Sequence, residues 1–149
     1  VQTYLDDNLA RHDAEIKLFK GAKETLLALN ASGITLGIVT SKPVSTAIRG
    51  LTLFDLAQLF DVVVGCDSVT RHKPHPEPVL HALSELSQQK ASTIFIGDST
   101  HDIRSGNRAG VATAGVLWGP YKEIDLKAEN PTHLLYRFSE IEALCLDSQ

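Results

Sequence analysis

Short apolar runs rich in β-branched residues recur along the chain from Gly33 onward, each followed by a turn and then by apolar positions at helical spacing. The runs predict strands at Ile34 to Val39, Val62 to Val64, Thr93 to Ile96 and Val111 to Leu117, with a weaker one at His133 to Tyr136. The stretches between them predict helices at Val44 to Leu59, Pro76 to Gln88, Asp102 to Ala109, Tyr121 to Ala128 and Phe138 to Leu146. Strands that are apolar on both faces and alternate with helices imply a parallel sheet covered on both sides, a doubly wound α/β fold. Before Gly33 the pattern is helical. Ala22, Leu26, Leu27 and Leu29 share one side of a helix that Gly33 closes, while Val1, Tyr4, Leu5, Leu9 and Ile16 lie near one stripe of an earlier helix. Phe19 to Gly21 reads as the joint between the two. No strand runs ahead of these helices, although an α/β chain of this order ordinarily begins with one.

With 149 residues, 43% hydrophobic and 21% charged, the chain is sized for one core rather than two comparable domains. The net charge of −4 is mild and the 14 Lys and Arg are scattered, so no basic stripe faces a duplex backbone and nucleic acid is not an expected partner. No apolar run approaches the ~20 residues of a membrane helix, and no basic-then-apolar leader opens the chain. Cys66 and Cys145 stand in unrelated contexts without C-x-x-C spacing, which favours reduced thiols used as small apolar packers. These features together predict a soluble cytoplasmic protein with no membrane partner.

In open parallel sheets ligands bind beyond the carboxyl ends of the strands, which makes the residues after each apolar run the place to look for chemistry. Thr40, Ser41, Lys42 and Pro43 follow "ITLGIVT"; Lys73, Pro74, His75 and Pro76 follow "VVVGCDSVTRH"; Gly97, Asp98, Ser99 and Asp102 follow "IFI". Singly, each has an ordinary explanation: a helix cap for Thr40, a solvated loop lysine for Lys73, turn and capping roles for the two acids. Their joint arrival at one sheet edge is what a cap or a turn does not require. Two carboxylates four apart can approach a hard cation such as Mg²⁺ while leaving positions to water or substrate oxygens. A threonine hydroxyl with nearby backbone N–H groups, and an ammonium beside it, suit a phosphoryl group. Phosphoryl transfer is a charge problem, and metal and lysine together screen the dianion from an anionic nucleophile.

"IVTSKP", "KPHPEPVLHAL" and "IGDSTHDIRSGNRAG", in that order, resemble the second, third and fourth motifs of the haloacid dehalogenase (HAD) superfamily, closest to its phosphoglycolate phosphatase-like branch. The similarity runs from about Phe19 to Trp118. The resemblance implies a HAD-like, Rossmannoid core at residues 19–149 and, in residues 1–18, the remnant of a helical cap. It implies a Mg²⁺-dependent phosphatase acting on a small phosphorylated metabolite. By it, Thr40 matches the phosphate-binding hydroxyl, Lys73 the charge-stabilising lysine, Asp98 the Mg²⁺ ligand and Asp102 the acid that supports the metal or its waters. Ser41 stands where relatives often carry Asn and is a candidate for the substrate loop.

The superfamily's first motif, a strand ending in Asp-x-Asp-Gly-Thr that carries the nucleophile, has no counterpart here; "YLDDN" at Tyr4 to Asn8 has adjacent acids and follows no strand. The chain as written is therefore expected not to hydrolyse phosphoesters by the aspartyl-phosphate route. In the superfamily that strand lies between the one ending at Thr40 and the one ending at Asp98, so two unpaired edges are expected to face a gap. The sequence is expected to be a fragment of a longer enzyme, or to have the gap covered by strand donation or by a dimer. A non-catalytic phosphate- or metal-binding or interaction module is the alternative from a different class. A phosphoacceptor receiver domain fits less well, since its acidic pair lies on the first strand. A dinucleotide fold would show G-x-G-x-x-G after the first strand, which is not found, and dehalogenation needs no metal pair.

Overall fold

The computed structural model describes residues 17–147. Each β-branched run forms a strand where it finds a partner, and every ladder is parallel. β1 (Gly37–Val39) pairs with β2 (Val62–Val64), with Ile38 opposite Val63. β3 (Ile94–Gly97) pairs with β4 (Ala112–Val116), whose other edge pairs with β5 (His133–Leu135). The helices are α1 (Ala22–Ala31), α2 (Val44–Leu53), α3 (Glu77–Leu86), α4 (Thr100–Ala109), α5 (Glu123–Ala128) and α6 (Ser139–Leu146). The alternation is the doubly wound α/β arrangement implied by the sequence. The expected helix at residues 1–16 and most of the expected cap remnant lie outside the described residues.

The two ladders do not join: among the described residues β1 is hydrogen-bonded only to β2, and β3 only to β4. The unpaired edges expected on either side of a gap are therefore present, and a cleft of about 350 Å³ lies between them. Side-chain packing holds the halves together. α3 packs on β1 and β2, α4 packs on β3 and β4, and α3 lies against α4. Alternation along β3 feeds both faces: Ile94 and Ile96 pack against a core of Leu29, Ala114, Val116, Leu135 and Ile141, whereas Phe95 packs against Val79, Leu83, Ala109 and Val111. Thr113, fully buried in β4, donates to Asn107 Oδ1 at 2.8 Å and accepts the Thr132 N–H at 3.2 Å, tying α4 to the sheet with its hydroxyl satisfied.

Several boundaries differ from the sequence expectation. The helix expected to run to Leu59 stops at Leu53. The Leu51 carbonyl accepts from both Phe54 and Leu56, Asp55 takes a left-handed φ of 55°, and Leu56 is thereby turned into the core at 1% exposure. The ladder of β1 covers only the end of the run from Ile34: the Ile34 N–H turns back to the Leu29 carbonyl at 3.1 Å, and Leu36 joins β2's side only through its carbonyl, which accepts the Asp61 N–H at 2.8 Å. Gly33 does close α1 with a left-handed φ of 79°. Both cysteines are free thiols, and among the described residues no helix is long and apolar enough to cross a membrane.

Candidate active site

Loops leave the carboxyl ends of β1, β2 and β3 on one edge, and backbone hydrogen bonds stitch the first two together. Thr40 N–H donates to the Val64 carbonyl at 2.9 Å and Cys66 N–H to the Lys42 carbonyl at 3.0 Å. Val44 N–H donates to Asp67 Oδ1 at 3.0 Å. That bond supplies from the second loop the cap that α2 lacks in its own sequence, where Pro43 stands at the N-cap. Thr40 Oγ1 accepts the Lys42 N–H at 3.2 Å, which keeps its hydroxyl hydrogen available as a donor.

Lys73 sits in the loop after β2, and its Nζ donates to Asp102 Oδ1 at 2.6 Å, the two side chains only 13% and 10% exposed. Two further residues on the same face of α4 grip the backbone beside it: Ser105 Oγ donates to the His75 carbonyl at 2.7 Å, and Arg108 Nη1 to the Pro74 carbonyl at 3.3 Å. Asp102, Ser105 and Arg108 are three apart, the spacing that puts side chains in a row along a helix. Asp102 also completes a capping box at the start of α4: its Oδ2 accepts the Ser99 N–H at 3.2 Å, and Ser99 Oγ accepts the Asp102 N–H at 3.1 Å. Both of its oxygens are therefore engaged by the protein.

Asp98 follows β3 directly and faces the cleft. The backbone at Gly119 presses so closely on it that a Cβ there would stand 2.5 Å from the Asp98 Cβ, and a Cβ on Gly97 would collide with the Asp102 side chain. Glycine is required at both places by contact, not by dihedral angle. Burial, and secondarily the charge of Asp102, push the Asp98 carboxyl above its ordinary value of 3.8. The charged form is thus penalised in the folded state. The penalty is absent where the group is protonated in both states and grows as pH rises from 3.8 through the folded-state value. Asp98→Asn is accordingly expected to raise the melting temperature at neutral pH. The rise should be no more than about 2–4 °C, what roughly 1 kcal/mol brings to a chain of this size after allowance for solvent screening. Melts repeated at falling pH should show the gain shrinking toward zero near 3.8.

Thr40, Lys73, Asp98 and Asp102 all line the one cleft. Ser41 does not; it is exposed and borders a smaller recess with Thr40, His72 and Lys73. His72 donates to the Cys66 carbonyl at 2.9 Å, His75 is engaged by Arg71 and by the Glu77 N–H, His101 is exposed, and none of the three lines the main cleft. The apolar wall comes from residues with weaker sequence signals. Trp118 stacks on Phe138 with ring centroids 4.4 Å apart, and Phe19, Val39, Phe95, Ile96, Val116 and Ile141 complete it.

The profile of the family described as haloacid dehalogenase-like hydrolase matches residues 1–116. Among curated proteins, the chain is 41% identical to Pyrophosphatase PpaX of Halalkalibacterium halodurans, over 91% of this chain and 63% of that protein. It is 39% identical to Pyrophosphatase PpaX of Bacillus pumilus, over 97% and 67% respectively. Among solved structures, that of a predicted phosphoglycolate phosphatase from Haemophilus somnus 129PT superposes with a TM-score of 0.84 at 31% identity, over 96% of this chain and 62% of the other. The chain thus spans roughly two-thirds of the length of these relatives. Its motifs, its parallel ladders and the profile match over most of its length agree, and the chain belongs to the haloacid dehalogenase-like hydrolase family.

Proposed function

We propose that the chain is the core of a Mg²⁺-dependent phosphatase acting on a small phosphorylated compound, pyrophosphate or a phosphoglycolate-like monoester. The observation that carries this reading is the Lys73–Asp102 pair, held at 2.6 Å on the same cleft as Thr40 and Asp98. The names of the relatives favour pyrophosphate first and phosphoglycolate second. Thr40 donates its hydroxyl to a phosphate oxygen, and Lys73 sets a compact positive charge beside it. The donor set suits Mg²⁺, which is commonly bound through one or two carboxylates with other positions left to water and phosphate. Among the described residues no group of three His, Cys, Asp or Glu is assembled, so a heavily liganded site such as that of zinc is a poorer match. Asp98 is the direct ligand in this reading, and Asp102, with both oxygens already engaged, orders the waters around the ion. A bound Mg²⁺ would supply charge neutralisation at the phosphoryl oxygens.

Neither acid on the cleft is spare for attack on phosphorus, so among the described residues the cleft lacks a nucleophile. We take the nucleophilic aspartate to arrive, from outside the described residues, on an extended segment seated between β1 and β3. Residues 1–18 would be the end of a helical cap. The chain alone is then a binding core that does not turn over substrate. Calorimetric titration tests the reading. Asp98→Asn should weaken Mg²⁺ binding by about tenfold or more, about 1.4 kcal/mol, and Thr40→Val should weaken inorganic phosphate binding while leaving Mg²⁺ binding unchanged. Binding of neither ligand, or binding indifferent to both substitutions, would sink it.

A further inference from the structure

Lys73 lies inside a loop closed by Glu77. Glu77 Oε1 accepts the Thr70 N–H at 2.9 Å and its Oε2 accepts the Arg71 N–H at 3.2 Å, so one carboxylate reaches back across Lys73 and binds two successive amides. From the other side, Ser105 and Arg108 hold the carbonyls of His75 and Pro74. The backbone is thereby gripped before Lys73 and after it. We infer that Glu77 is a positioning residue for Lys73: by clamping Thr70 and Arg71 it fixes the loop from which the ammonium reaches the cleft, without touching substrate itself. The inference deepens the phosphatase reading and rests on it.

The chemistry of the clamp is specific to a carboxylate. Two N–H donors require two acceptors, and glutamate offers both in one plane. Glutamine of the same size keeps one acceptor and turns an NH₂ against the other N–H, which breaks the bidentate contact. The Thr70 N–H bond, joined by that of Arg71 and by nearby positive charge, holds the Glu77 carboxyl below its ordinary value and so in the accepting form. A cap on α3 alone would account for a carboxylate at this position, but Glu77 turns back to the preceding turn rather than to the first amides of its own helix.

A double-mutant cycle on inorganic phosphate affinity, measured by calorimetry in the presence of Mg²⁺, separates positioning from structural support. Glu77→Gln is expected to weaken phosphate binding about five- to tenfold, with faster hydrogen exchange at the Thr70 and Arg71 amides. Lys73→Gln, which removes the charge, should weaken it at least as much. The double variant should match Lys73→Gln within about twofold, because Glu77 acts only through that lysine. Glu77→Asp, charged but one methylene shorter, should fall between wild type and Glu77→Gln. Independent, multiplying losses would overturn the inference, as would Glu77→Gln binding phosphate like wild type. If wild type itself binds no phosphate, or Lys73→Gln changes nothing, the phosphatase reading fails and the inference fails with it. That outcome is recognisable because it appears before Glu77 is altered.

Discussion

Asp102→Ala should lower stability by about 3–5 kcal/mol, the cost of leaving a nearly buried charge without its partner, read as the shift of the urea unfolding midpoint. Two losses coincide. The Lys73 ammonium, 13% exposed, loses its acceptor at 2.6 Å while Ser105 and Arg108 still hold its loop. The start of α4 loses the carboxylate that accepts the Ser99 N–H, a capping defect of about 0.5–2 kcal/mol. Asp102→Asn should cost less, since an amide oxygen still accepts from one of the two donors. Replacing both partners, Lys73→Met with Asp102→Leu, should recover much of the loss, because no uncompensated charge remains. A cost below about 1 kcal/mol for Asp102→Ala would mean that the pair behaves as an exposed one. In that case Asp102 could not be what directs Lys73 into the cleft.

That pair also marks the limit of what could be read from the chain alone. Thr40, Lys73, Asp98 and Asp102 were legible because parallel α/β topology sends every strand's carboxyl end to one edge, whatever the intervening lengths. The β-branched runs located the strands for the same reason: their apolar faces on both sides demand burial under helices. Contacts between loops far apart in the sequence were not legible. Lys73 meets Asp102 across 29 residues, Val44 meets Asp67 across 23, and Trp118 stacks on Phe138 from a different loop. Sequence spacing carries no information about such pairs. The early end of α2 at Leu53 belongs to the same class, since only the demand to bury Leu56 stops a stretch whose local pattern continues.

A second large effect should follow from filling the gap. An extended apolar segment ending in an aspartate, fused ahead of the chain through a flexible linker, is expected to convert a binding core into a hydrolase. β1 and β3 each leave one edge unpaired toward the cleft, and a strand between them would satisfy both rows of backbone groups while joining two ladders into one sheet. Val39, Phe95, Ile96, Val116 and Trp118 would receive its apolar side chains. Each ladder among the described residues is parallel, so a further strand running in the direction of β1 and β3 would deliver its carboxyl end to the rim where Thr40, Lys73, Asp98 and Asp102 meet. Release of inorganic phosphate from pyrophosphate and from phosphoglycolate, with Mg²⁺ present, is the measurement. The unfused chain should give background rates and the fused chain turnover. Aspartate to asparagine at the end of the segment should remove that turnover by a factor on the order of 10³ or more, as loss of an attacking group does. The melting temperature should rise with either segment, because pairing and burial do not depend on the acid. Hydrolysis by the unfused chain, or by the asparagine form at an undiminished rate, would put the nucleophile elsewhere. A stabilised fusion that hydrolyses neither substrate would favour the non-catalytic binding module instead.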